Sequence, residues 1–243
     1  MTTLRSALFI VLLNLWTLVM GVLYLPLLAL PRQATNRAAR FWLRGAFLFL
    51  RLLCGLRLDV RGPVPTGAAL IASKHQSTFE TFAFRLLLDD PAVILKKELL
   101  RIPIFGWYLW KTGVIAIDRA AGTKALKAMV KGAEEAKTQN RQVLIFPEGH
   151  RMGVGEAPNY HTGVAMLYGS LGIPCVPVAI NSGLFWGRGG MAKRPGAVTI
   201  HFLPAIEPGL DRKAFMAELQ TRIETGTQAL VDEARARYPH LPR

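Results

Sequence analysis

Five positions carry the chain from His75 to Glu80 through Gln76-Ser77-Thr78-Phe79. Neutral imidazole is the side chain best suited to take a proton near pH 7. It works well when one ring nitrogen is held and the other faces the substrate. A carboxylate can do the holding if the chain turns from a strand into a helix between the two residues. The run 68–72 is short and apolar, as a buried strand is, and Ser77 and Thr78 can cap a helix over 78–88. A strand end opening onto a helix N-terminus is where open α/β sheets place their chemistry. Taken alone, the pair could equally be a surface His and a surface Glu that never meet, because short patterns match by chance.

Three further clusters lie at expected strand ends. Gly113-Val114-Ile115-Ala116-Ile117-Asp118-Arg119 is an apolar strand ending in an acid and a base. Arg119 could grip a phosphate, or form a local ion pair with Asp118. Val143-Leu144-Ile145-Phe146-Pro147-Glu148-Gly149-His150-Arg151 is a buried strand that breaks at Pro147. Gly149 permits a tight turn and close approach of a ligand to the backbone. The guanidinium of Arg151 can take phosphate oxygens in a bidentate fork. Val176-Pro177-Val178-Ala179-Ile180-Asn181-Ser182-Gly183 is a strand that could wall an apolar acyl site.

These clusters need a scaffold, and the hydrophobic periodicity supplies one. Strands are expected over 68–72, 92–96, 114–117, 142–146, 174–180 and 197–202, and helices over 78–88, 122–138, 161–171 and 212–238. Such alternation predicts an α/β fold with a central, mostly parallel sheet flanked by helices. The long loop 183–196 carries Phe185, Trp186, Arg188, Lys193 and Arg194. It could touch a membrane, close over a substrate, or be an ordinary mobile loop.

Residues 7–30 carry no charge. As one helix they would span ~36 Å, enough to cross a bilayer core of about 30 Å. The run is too long for a signal peptide and shows no small-residue cleavage site. Arg32, Arg37, Arg40 and Arg44 follow closely, so the rest of the chain is expected on the cytoplasmic side of the inner membrane. Residues 35–58 alternate aromatic and leucine positions with Arg44, Arg51 and Arg57, the pattern of an amphipathic helix lying among lipid headgroups. A second span, or a helix packed on the domain, are the alternatives. Two parts are therefore expected: membrane-anchoring helices over 1–57 and an α/β domain over 58–243.

The composition agrees with a membrane partner. Lys and Arg number 30 against 16 Asp and Glu, a net charge of +14, and 51% of residues are hydrophobic. The mean hydropathy is +0.27 and the isoelectric point about 10.4. Such a surplus seeks a polyanion. The chain has no zinc-finger spacing and no aromatic RNA-binding strand, so an anionic phospholipid surface is expected rather than nucleic acid. Cys54 and Cys175 sit in apolar runs and fit no metal or disulfide pattern.

In this order, the blocks resemble the glycerolipid acyltransferases: His-x-x-x-x-acid, Gly-x-Ile-x-Ile-Asp-Arg, Phe-Pro-Glu-Gly-x-Arg and Val-Pro-Val-Ala-Ile. The nearest resemblance is to the 1-acylglycerol-3-phosphate, or lysophosphatidic acid, acyltransferases. It covers roughly 58–202 and includes the stretch from Lys96 to Gly106. The resemblance implies that His75 is the general base on a glycerol hydroxyl and that Glu80 orients and charges its ring. Acyl-CoA or acyl carrier protein would be the donor, lysophosphatidic acid the acceptor, phosphatidic acid the product, and no metal or other cofactor would be needed. Arg119, Glu148, Gly149 and Arg151 would form the acceptor site, with Lys97 a weaker phosphate ligand.

Two residues depart from the pattern. Glu80 stands where Asp is commoner, and His150 where Thr is usual; His150 either tunes acceptor choice or points away. The same chemistry could serve glycerol 3-phosphate, another lysophospholipid or a lyso-ornithine lipid. A thioesterase would leave the arginines idle. A non-catalytic membrane-surface protein would need neither His75 nor the ordered blocks.

Overall fold

A computed structural model describes residues 2–242. Helix α1 (Thr2–Leu23) stops short of the expected 7–30 run, because Pro26 leads into a 3-10 turn, Leu25–Ala29. Pro31 then starts α2 (Arg32–Cys54). Gly55, at φ 66°, closes α2 in a left-handed cap, so the helix expected to reach 58 ends earlier. Strand β1 (Leu56–Arg61) takes over, an element the hydrophobic pattern did not announce.

The remaining elements are β2 (Leu70–Ser73), α3 (Phe79–Leu87), β3 (Ala92–Lys96), α4 (Phe105–Lys111), β4 (Ile115–Ile117), α5 (Thr123–Thr138), β5 (Val143–Ile145), α6 (Gly163–Leu171), β6 (Cys175–Ile180), α7 (Ser182–Phe185), β7 (Gly196–Phe202) and α8 (Arg212–Arg237). The sheet has seven strands in the order β1-β7-β6-β2-β5-β3-β4. Its pairs are parallel except β6 with β7. Strand β2 lies at the centre, with Leu70 opposite Val143 on one side and Cys175 on the other. The carboxyl ends of β2, β5, β6, β3 and β4 therefore share one edge.

Alternation along the strands divides the core. Ile71, Val178 and Ile180 face a layer that holds Leu50 of α2, Phe79 and Phe84 of α3 and Phe9 of α1. Leu70, Ala72 and Val143 face α5, α6 and the first half of α8. Leu43, Ala46 and Leu50 of α2 are buried, while Arg44, Leu48, Arg51 and Leu52 face outward. Full burial of one leucine is worth about 1.5–3 kcal/mol, so α2 is held firmly on the domain.

Helix α1 also lies along the domain. Phe9 is buried against Trp186, and Tyr108 donates to the Gly21 carbonyl at 2.8 Å. Its other face leaves Leu4, Leu8, Val11, Leu15, Leu18 and Val22 exposed. This long apolar helix points to membrane association.

Candidate active site

His75 sits just past the end of β2, and Glu80 in the first turn of α3. His75 Nδ1 lies 2.9 Å from Glu80 Oε1. Glu80 is fully buried and His75 is 16% exposed at its side chain. The same Oε1 accepts from the backbone N–H groups of Gln76 at 2.7 Å and Ser77 at 2.6 Å. Those two N–H groups belong to the turn just before α3, which the carboxylate thereby ties to the helix. Ser182 Oγ donates to Oε2 at 2.8 Å. With Glu80 accepting, Nδ1 carries the proton and Nε2 presents a lone pair. The extra methylene of Glu80 thus reaches the ring without strain on the dyad. Ser77 Oγ caps α3 by accepting from Phe79 N–H, whereas Thr78, expected as a cap, makes no such bond.

The ring is fixed from a second direction by Phe146, which stacks on it at 4.0 Å between centroids and 19° between planes. Phe146 immediately follows β5, which lies next to β2, so sheet order creates this contact. Gln76 Oε1 accepts from Gly183 N–H and ties the His75 turn to the end of β6.

Glu148 is fully buried. Its Oε2 accepts from His75 N–H at 2.8 Å, and Oε1 lies 2.7 Å from Lys74 Nζ. Both carboxylate oxygens face protein groups rather than open space. Burial pushes its carboxyl upward in pKa, against the opposing pull of Lys74. Gly149 adopts φ 71°, and a Cβ there would lie 2.9 Å from the His161 ring and 3.7 Å from Arg119. Glycine is required both by its conformation and by that approach.

Arg151 NH1 donates to Thr78 Oγ1 at 3.2 Å, and Met152 N–H donates to the His75 carbonyl at 2.7 Å. The Glu148–Met152 turn therefore lies against the His75 turn. Arg119 is exposed, and Asp118 caps the backbone of Ala120 instead of pairing with it. His150 is exposed. Lys97 is exposed at the start of the 3-10 turn Lys97–Arg101; among the described residues it forms no side-chain hydrogen bond to this group.

A family model described as acyltransferase matches residues 57–181. The chain belongs to the acyltransferase family. This acyltransferase is 36% identical to the 1-acyl-sn-glycerol-3-phosphate acyltransferase of Pseudomonas aeruginosa, over 97% of its own length and 95% of that protein. It is 30% identical to the enzyme of the same name from Helicobacter pylori, over 78% and 80% of the two chains. Its fold matches the crystal structure of the 1-acyl-sn-glycerophosphate acyltransferase of Thermotoga maritima with a TM-score of 0.72. That match has 19% identity and covers 95% of this chain and 99% of the other.

The residues unread in the acyltransferase's sequence are Lys74, Phe146, His161, Ser182 and Glu224. The strand 174–180, expected to wall an acyl site, is instead buried along its whole length as β6. Its end supplies Ser182 to Glu80. An apolar cavity of about 380 Å³ lies elsewhere, between α1, α2, α3 and α4, lined by Leu18, Trp42, Phe82 and Tyr108 among others. The loop 183–196 is docked rather than free. Lys193 N–H donates to Ser6 Oγ of α1, and Arg188 donates to the Arg151 carbonyl. Among the described residues no cluster of His, Cys, Asp or Glu has the makings of a metal site.

Proposed function

We propose that this acyltransferase moves an acyl chain from acyl-CoA or acyl carrier protein to the free hydroxyl of 1-acylglycerol 3-phosphate. The product is phosphatidic acid for phospholipid synthesis. The observation that carries the reading is an imidazole held through Nδ1 by a buried carboxylate, with Nε2 free and Arg151 at the neighbouring turn. The names of the relatives support it.

In the reaction, Nε2 takes the proton of the glycerol hydroxyl as its oxygen attacks the thioester carbonyl. The resulting imidazolium is stabilised by Glu80. The tetrahedral intermediate collapses, the C–S bond breaks, and the imidazolium returns its proton to the departing thiolate. Ester and thiol are the products, His75 is regenerated, and no cofactor enters. Arg151 and Arg119 grip the acceptor phosphate, with Lys97 further out. Glu148 and Gly149 serve the acceptor by shaping the turn that carries Arg151. The cavity between α1 and α4 offers an acyl chain an apolar environment.

The test supplies purified protein with a labelled acyl thioester and either lysophosphatidic acid or glycerol 3-phosphate. Labelled phosphatidic acid from the first acceptor is expected. Thiol release without a lipid product would reject the reading, and transfer only to glycerol 3-phosphate would reassign the acceptor. Arg151→Ala is expected to raise KM for lysophosphatidic acid at least tenfold, the loss of about 1.4 kcal/mol or more of charge-assisted binding. KM for the thioester should change little. Equal effects on both substrates would remove Arg151 from the acceptor site.

The reading also assigns the protein to the cytoplasmic face of the inner membrane, bound to anionic phospholipid. Besides the apolar face of α1, Phe41, Leu48 and Leu52 of α2 and Trp107 and Trp110 of α4 are exposed, as are Arg44 and Arg51 of α2. Tryptophan and arginine suit the headgroup level. Salt screens the arginines but not the apolar face. Raising salt should therefore release only part of the protein from anionic vesicles; complete release would show that charge alone holds it.

A further inference from the structure

Lys74 immediately precedes the base, yet its side chain runs into the interior and is only 2% exposed. Its ammonium lies 2.7 Å from Glu148 Oε1 and donates to both oxygens of Glu224 at 2.8 and 2.9 Å. Tyr160 OH donates to Glu224 Oε1 at 2.8 Å. Glu148 Oε2 in turn accepts from His75 N–H. Hydrogen bonds and one ion pair, Lys74 with Glu148, whose buried Oε1 has no aligned hydrogen bond, therefore link Tyr160 through Glu224, Lys74 and Glu148 to the backbone of the base. Glu224 belongs to α8, far from His75 in sequence.

Helix α8 packs closely on the sheet: at Gly226 a Cβ would lie 2.9 Å from the Cβ of Ala179 on β6, so a side chain there would force a shift. Lys74 is needed because Glu148 is fully buried: without a cation it would face the partly exposed Glu224 carboxylate in a medium that penalises its own charge.

We infer that Glu224 and Tyr160 are positioning residues for His75, acting through Lys74 and Glu148 to hold the peptide that aims the imidazole. This rests on the reading of His75 as the general base. The charges around the Lys74 ammonium are Glu148 from the turn after β5 and Glu224 from α8, with the Tyr160 hydroxyl behind Glu224 and His75 next in the chain. The clamp works only while the cation is bracketed. Removing the cation turns its two anions against each other; removing one anion as well relieves that conflict.

The consequence is a specific pattern of coupling. Glu224→Gln should lower kcat about tenfold, and Tyr160→Phe about threefold, with KM for both substrates within about twofold of wild type. Lys74→Met should lower kcat at least about 100-fold, and adding Glu224→Gln to it should recover about tenfold, a non-additivity expected only of groups in one network. Hydrogen exchange of the 74–78 amides, followed by mass spectrometry, gives a readout free of any substrate. Glu224→Gln should speed it about tenfold, because Glu148, the acceptor of the His75 N–H, is then held less firmly.

Wild-type turnover of lysophosphatidic acid is measured first, so failure of the proposed function is seen separately from failure of the clamp. Unchanged exchange and a kcat within twofold of wild type in Glu224→Gln would overturn the inference. So would a double variant no better than Lys74→Met, or losses confined to KM. Should Lys74→Met fail to fold, the two milder variants and the exchange measurement decide the matter.

Discussion

His75→Ala is expected to lower turnover by ~10²–10⁴-fold, the usual contribution of a positioned general base. The reaction needs a group that takes the hydroxyl proton and returns it to the thiolate, and Nε2 of His75 is the atom left free for both steps. The variant should still fold. Glu80 loses its contact to the ring but keeps Gln76 N–H, Ser77 N–H and Ser182 Oγ, so its buried charge is not stranded. Arg119 and Arg151, proposed to bind the phosphate, are untouched, and KM for lysophosphatidic acid should move little. Steady-state kinetics together with a thermal melt check this. A well-folded variant retaining more than a tenth of wild-type kcat would show that another group is the base.

Glu80→Gln carries the second large effect, a fall in kcat on the order of 10²–10⁴-fold, as when the carboxylate behind a catalytic histidine is neutralised. The amide oxygen can replace Oε1, accepting from Nδ1 and the two backbone donors. The amide nitrogen then faces Ser182, whose hydroxyl can rotate to accept. Geometry therefore survives while the negative charge that stabilises the imidazolium is lost. The loss should appear in kcat rather than in KM for the acceptor. Near wild-type kcat with an intact fold would mean that the carboxylate only shapes the turn and takes no part in charging the ring.

The two variants probe the part of the site that was most legible in the sequence. His75 and Glu80 are close along the chain, and a strand-to-helix turn with Ser77 as cap brings them together through local geometry alone. The strands around that turn were equally legible, because buried parallel strands read as short apolar runs. Strand β1 was not. Its residues Leu56–Arg61 mix arginine and aspartate with leucine and valine, and only pairing with β7, more than a hundred residues later, makes them a strand. The amphipathic pattern of α2 was visible, but it did not say what its apolar stripe would meet. The structure answers that part of the stripe seals the sheet while Leu48 and Leu52 remain outside.

Glu148 shows the same limit within the site. Its block, with Gly149 and Arg151, led to the expectation of a turn that takes an anionic ligand. The sequence could not show that both oxygens of Glu148 would be engaged by Lys74 and the His75 backbone. That follows from β2 lying next to β5, an adjacency that local spacing does not encode.

By itself, the sequence determined the candidate pair His75 and Glu80, the order of the family's motif blocks, the α/β alternation and the apolar, basic N-terminus. Each of these rests on residue type and on contacts within a few positions. Only the tertiary structure decided what holds the pair in place: Ser182 at the start of α7 after β6, Phe146 just after β5, and Glu224 from α8 through Lys74. The sheet places β2 between β5 and β6, and Gly226 lets α8 close on β6. His75 and Glu80 find each other through the local turn, and long-range packing supplies the partners that fix their direction.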